Sequence, residues 1–162
     1  MENAEIRPMR NDEIDLLEEF VYHAIFLRDG DPPPPRGIIE EPPVAVYIRE
    51  FGKPDDHCLV AECGGRVVGA VWTRILGGEV KGFGNIDDET PEFAISLLPG
   101  YRGQGIGTAL MEAMIELLAG KGYKRASLAV QQDNYAVNMY QKVGFEIIGK
   151  TEEEYIMAVW LR

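Results

Sequence analysis

The segment from Phe93 to Val130 constrains this chain more than any other. An apolar run, Phe93 to Leu98, is stopped by Pro99 and followed by glycines at alternate positions, Gly103, Gly105 and Gly107. Behind them Ile106, Leu110, Ala113, Met114, Leu117 and Leu118 recur at the spacing of an amphipathic helix, which Gly120 to Gly122 stops. A β-rich run, Arg125 to Val130, comes next. Strand, glycine turn, helix and strand in that order predict a crossover between two parallel strands. Such a crossover sets the turn at the carboxyl end of a sheet strand, where α/β folds gather ligands.

Missing Cβ atoms in that turn let a bulky anion approach the first backbone N–H groups of the helix. The helix N-terminus carries roughly half a positive charge, and Arg102 adds a full one with forked donors, a combination suited to a diphosphate. No lysine follows as a P-loop requires, and Thr108 stands where a dinucleotide fingerprint needs its third glycine. On spacing alone a phosphate seat and a plain tight turn both remain open.

The remaining segments read as one domain over residues 1–162, a length that buries most of an apolar core without staples. Glu5 to Pro8 is a strand, and Asn11 or Asp12 is placed to cap a helix through Ile14, Leu17, Val21, Ala24 and Ile25. Arg28 to Pro43, with prolines at 32 to 35 and at 42 and 43, is a long surface loop. Val44 to Phe51 follows as a helix with Val44, Tyr47, Ile48 and Phe51 on one face. His57 to Cys63 and Arg66 to Arg74 form a hairpin turned at Gly64-Gly65. Gly77 to Asp88 is a connection. Asp133 or Asn134 caps a short helix through Lys142, and Phe145 to Lys150 and Tyr155 to Leu161 are strands around the acidic turn Glu152 to Glu154.

Charge narrows the partners. With 16 Lys plus Arg against 27 Asp plus Glu, the net charge of −11 repels nucleic acid and favours cationic ligands or plain solubility. No apolar run approaches bilayer length, and the first residues lack the apolar core of a signal peptide. Cys58 and Cys63, at odd separation on one strand, point to opposite faces and do not pair, which suits a reducing cytoplasm.

The run Leu97-Leu98-Pro99-Gly100-Tyr101-Arg102-Gly103-Gln104-Gly105-Ile106-Gly107-Thr108 closely resembles the acetyl-CoA signature of the GNAT superfamily of N-acetyltransferases. Asn134 to Phe145, Asn-Tyr-Ala-Val-Asn-Met-Tyr-Gln-Lys-Val-Gly-Phe, resembles that family's following helix and strand at the expected distance. The resemblance implies an α/β (α+β) fold: a three-layer α/β/α domain whose mixed, mostly antiparallel central sheet is splayed at the cofactor site. It implies that acetyl-CoA inserts there, with main-chain groups of Leu97 on the pantetheine arm. The diphosphate would rest on Arg102, Gly103, Gln104, Gly105, Ile106, Gly107 and Thr108. Asn134 corresponds to a family asparagine beside the pantetheine, and as a helix cap it has a second explanation.

Tyr140 matches the family tyrosine that protonates the departing thiolate. A phenol of pKa about 10 can donate to a thiolate whose acid has pKa about 8.5. An attacking amine must also lose a proton, and Glu92, opening the strand that carries Leu97, is the candidate base, with Asp87, Asp88 and Glu89 nearby. His23 and His57 are too scattered for a metal site, so no metal is expected. Cys58 or Cys63 as an acetyl carrier is the less favoured route.

The activity expected is acetyl transfer to a primary amine, on a small molecule or a peptide, by direct attack in a ternary complex. A non-catalytic acyl-CoA sensor and a transferase for longer acyl groups are the rivals. The Tyr155 to Leu161 strand offers an edge for a homodimer.

Overall fold

The computed structural model describes residues 3–162. The Gly64-Gly65 pair, at φ 57° and 82°, closes a two-residue turn between β2 (His57–Cys63) and β3 (Arg66–Arg74), a geometry that residues with a Cβ adopt only under strain. β1 (Glu5–Pro8) pairs with β2, and β3 pairs antiparallel with β4 (Glu92–Leu97). The sheet continues through β5 (Arg125–Gln131), β7 (Glu154–Trp160) and β6 (Glu146–Lys150), in the order β1-β2-β3-β4-β5-β7-β6. Every pairing is antiparallel except β4 with β5, the parallel pair expected from the crossover.

Helices cover both faces of these strands. α1 (Leu16–Ala24) and α2 (Pro42–Ala45) lie over a core of Leu17, Phe20, Val21, Cys58, Val60, Ala70 and Trp72. α3 (Ile106–Gly120) and α4 (Ala136–Lys142) cover the opposite face, where Leu110, Met111, Met114 and Leu118 meet Leu59, Val71, Phe93 and Phe145. Alternation along β2 sends Cys58 into one core and Cys63 into the other, so the two thiols are separated as their spacing implies. Three layers around a mixed sheet are the architecture expected from the sequence.

Four local readings are corrected. Asn11 to Glu13 forms a short 3-10 turn and α1 begins only after Asp15, so neither Asn11 nor Asp12 caps it. Glu13 explains the delay: its carboxylate accepts the Arg10 N–H at 2.8 Å and pairs with Arg7 at 2.8 Å, tying the turn to β1. The segment Val44 to Phe51 is not one helix. Regular helix covers Pro42–Ala45, and Arg74 then draws the carbonyls of Val46 and Arg49 away from a helical ladder with Nη1 bonds of 3.0 and 2.8 Å.

The proline-rich loop contains a 3-10 segment, Arg36–Glu40, which the prolines on either side confine to a short piece. The Arg36 guanidinium lies 4.0 Å from the Tyr22 ring centroid, and the Tyr22 hydroxyl donates to the Pro34 carbonyl at 2.6 Å, holding the loop against α1. Finally, the Tyr155 to Leu161 strand is no edge. β7 lies between β5 and β6 and bonds to both, which leaves β6 on the rim.

Candidate functional site

β4 and β5 share a single bridge, Glu92 with Ser127, reinforced by the Ser127 N–H donating to the Pro91 carbonyl at 2.9 Å. Beyond it the strands part. The gap opens into a cleft of about 420 Å³, walled by Phe93, Ala94 and Ile95 of β4 and Leu128 to Gln131 of β5. α1 and α2 contribute Val21 and Val44 from one layer, and α4 contributes Tyr140 from the other. The cleft thus runs past the sheet and is reached from both layers.

Glu92 sits at the apex of the parting with 2% of its surface exposed. Its Oε2 accepts the Tyr47 hydroxyl and the Gly84 N–H, the latter at 3.0 Å, while Oε1, buried against Gly82, has no partner among the described residues. Burial pushes its carboxyl up to about 7, and the nearby charge of Glu154 adds to the rise, against the two hydrogen bonds. Each partner is itself held. The Trp72 indole donates to the Tyr47 carbonyl at 2.9 Å, and the Tyr47 hydroxyl accepts the Phe83 N–H at 2.9 Å. Gly84 lies against the main chain of Leu128 where a Cβ would collide, and its carbonyl accepts the Ser127 hydroxyl at 2.8 Å.

Tyr140, buried on α4, lines the same cleft, and its hydroxyl makes no hydrogen bond to any described residue. Burial alone pushes its phenol up to about 12. Asn134 also lines the cleft, and its Oδ1 accepts the Ala136 N–H at 2.9 Å, so it closes the start of α4 while facing the opening. Asp133, the other cap candidate, instead pairs with Arg28 at 2.6 Å.

The glycine turn lies past the end of β4. Gly103 and Gly105 have φ of 74° and 85°, and Gly105 is the left-handed residue at which α3 starts. The first bond of the α3 ladder runs from the Ala109 N–H to the Gly105 carbonyl at 3.1 Å, so the amides of Ile106, Gly107 and Thr108 precede it. Arg102 to Gly105 are exposed, and open space surrounds Gly103 and Gly105. Arg102 donates to the His23 carbonyl at 3.2 Å, and the Gln104 amide to the Gly100 carbonyl at 2.9 Å. Gly107 instead packs close to Met139 and Leu97. This is a solvent-facing cradle of main-chain donors, with a fit for a diphosphate.

Glu92, Tyr140 and Asn134 therefore meet in one cleft, whereas Leu97 and the turn from Arg102 to Thr108 lie beyond its lining. Among the alternative bases, Asp87 is engaged by Arg125 at 2.8 Å, which holds its carboxyl below the usual range. Cys58 does not line the cleft, and burial pushes its thiol up to about 12, far from a thiolate at neutral pH. Among the described residues no cluster of three or more His, Cys, Asp or Glu is placed to hold a metal, and no helix is long and apolar enough to cross a membrane. Sequence reasoning missed Tyr47, Gly84 and Glu154. Tyr47 carries only the signal of a packed helix face, and Glu154 that of a solvated turn.

The sequence pattern described as the acetyltransferase (GNAT) family matches residues 24–145. The N-alpha-acetyltransferase RimI of Mycobacterium tuberculosis is 30% identical over 119 residues, 70% of this chain and 66% of that protein. An uncharacterised N-acetyltransferase of Mycobacterium bovis is 34% identical over 70% of this chain and 73% of its own length. The chain thus spans just under two thirds of the RimI protein. Among solved structures, the PaiA N-acetyltransferase of Thermoplasma acidophilum in complex with coenzyme A superposes with a TM-score of 0.68 at 19% identity, covering 97% of this chain and 98% of the other.

Proposed function

We propose, from the premise that this chain belongs to the acetyltransferase (GNAT) family, that it moves an acetyl group from acetyl-CoA to a primary amine by direct attack in a ternary complex. The observation that carries the reading is the meeting of Glu92 and Tyr140 in one cleft, at the point where two parallel strands lose their pairing. One side chain is suited to take a proton and the other to give one.

Acetyl-CoA supplies the acyl group as an activated thioester. The amides of Gly103 to Thr108 and the Arg102 guanidinium would hold its diphosphate, and free main-chain groups near Leu97, with Asn134, would hold the pantetheine arm. Glu92, which lines the cleft, would take the ammonium proton through a water that reaches its carboxylate. As the new C–N bond forms and the C–S bond breaks, Tyr140 would give its hydroxyl proton to the sulfur and recover one from the amine side. Proximity supplies most of the rate, since both reactants are fixed in one cleft.

RimI and the mycothiol acetyltransferases among the relatives show that proteins of this kind carry acetyltransferase names with different acceptors. A reducing cytoplasm suits the two unpaired thiols. Purified protein mixed with acetyl-CoA and a panel of amines should release CoA thiol in an amine-dependent manner, and calorimetry should detect acetyl-CoA alone. Tight binding without turnover on any amine would favour a sensor instead.

A further inference from the structure

Three charged side chains line the cleft, Glu92, Glu153 and Glu154, and all are acidic; no Lys, Arg or His is among its lining residues. Outside the lining, Arg28 is held by both Asp133 oxygens at 2.6 and 3.0 Å, and Arg36 by Glu19 at 2.7 Å. The lining therefore carries acidic groups and no cation to neutralise an anion.

The wall on the side of α1 and the proline-rich loop is apolar. Val21, Ile25, Phe26, Ile38, Val44 and Phe83 form it. Phe83 is 52% exposed, and its ring stacks on Tyr47 with centroids 6.4 Å apart and planes 17° from parallel. An exposed aromatic ring in a cleft whose charged lining is all acidic suits a ligand that is apolar in body and cationic at one end.

A carboxylate carried next to the amino group would enter this cleft beside three acids with no cation to meet it. Like-charge placement of that kind is unfavourable. Resting on the acetyl-transfer reading, we infer that the acceptor is a primary amine borne by an apolar group, aromatic or branched aliphatic, with no carboxylate on the amino-bearing carbon. Free amino acids are excluded. Arylalkylamines, amino-acid amides and peptide amino termini share the required chemistry.

The test compares phenylalaninamide, phenylalanine, phenethylamine, the amide of Phe-Gly-Gly and glycinamide, following CoA thiol release at saturating acetyl-CoA. The amide of phenylalanine should exceed the free acid in kcat/KM by about 100-fold, as expected for burying an unpaired like charge. It should exceed glycinamide by about tenfold, through the apolar wall. Phenethylamine against the tripeptide amide decides whether a small amine or a peptide terminus is the better source. Equal rates for acid and amide, or a preference for the acid, overturn the inference while transfer stands.

Glu154→Gln supplies a second reading. It should raise KM for phenylalaninamide about fivefold through loss of one attractive charge, with acetyl-CoA affinity and Tm unchanged. An unchanged KM overturns the role given to the acidic lining. If acetyl-CoA binds by calorimetry and only amines outside this apolar set are turned over, the inference fails on its own. If acetyl-CoA itself does not bind, the transfer reading fails beneath it.

Discussion

Tyr47 donates its phenolic proton to Oε2 of Glu92 from a different layer of the domain, 45 residues away in sequence. That bond opposes the burial that lifts the Glu92 carboxyl, so a carboxylate deep in the sheet still titrates at about 7 instead of higher. A group with that proton affinity exchanges protons near neutral pH, as the proposed general base must.

The proton affinity of Glu92 separates activity from stability. Only the carboxylate accepts a proton, so kcat/KM should climb as pH rises through about 7 and level off above it. Stability runs the other way. The folded protein retains a proton that the unfolded chain, at an ordinary value of 4.5, has already released, so the group's stabilisation is complete below pH 4.5 and is lost as pH rises through about 7. The full swing is about 3 kcal/mol. Glu92→Gln keeps an oxygen for the Gly84 N–H and removes the charge. Its Tm at pH 8 should equal or exceed that of the parent, while turnover falls about 10²- to 10⁴-fold. A large drop in Tm with turnover retained would show that Glu92 is only structural.

Tyr47 and Glu154 act on Glu92 with opposite sign. Tyr47→Phe removes a hydrogen bond to the carboxylate and should move the acid limb of the pH–rate profile upward. Glu154→Gln removes a like charge and should move it downward. Two profiles measured at saturating acetyl-CoA check both shifts. Displacements in the same direction would remove Glu92 as the group being titrated.

Tyr140→Phe deletes one hydroxyl that has no partner among the described residues, so the fold should lose little. In the proposed role its proton is needed only as the thiolate departs, so kcat should fall about 10- to 100-fold with KM for both substrates nearly unchanged. Product-release kinetics and thermal melts together check this, and full turnover would show that the ring merely packs.

Gly105 stands at φ 85° with open space where a Cβ would go, so its substitution acts through the backbone alone. Gly105→Ala should cost about 1–2 kcal/mol from the left-handed conformation. If the turn holds a diphosphate, CoA affinity should weaken more than affinity for pantetheine, which lacks phosphate groups. Equal losses on the two ligands, by calorimetry, would place the diphosphate elsewhere.

The hairpin at Gly64-Gly65 and the crossover from β4 through α3 to β5 were legible because their signals are local: a glycine pair, a helical spacing, a stop. Glu92 was legible as the first residue of its strand. Its partners were not, since Tyr47 and Gly84 reach it through loops whose course is set by Trp72, Arg74 and Leu128. The insertion of β7 between β5 and β6 escaped the sequence for the same reason. Alternation marks a strand and says nothing about which neighbours it will find.

A sheet joined across its middle by one rung has two inner rims as well as two outer ones. Past Phe93 and Ser127, main-chain groups along those rims lack the ladder partners that protect a central strand. Deuterium should enter there as it does at an outer rim. A ligand whose own amides span the opening would supply the missing rungs, weld the halves into one continuous sheet, and slow that exchange on both strands at once.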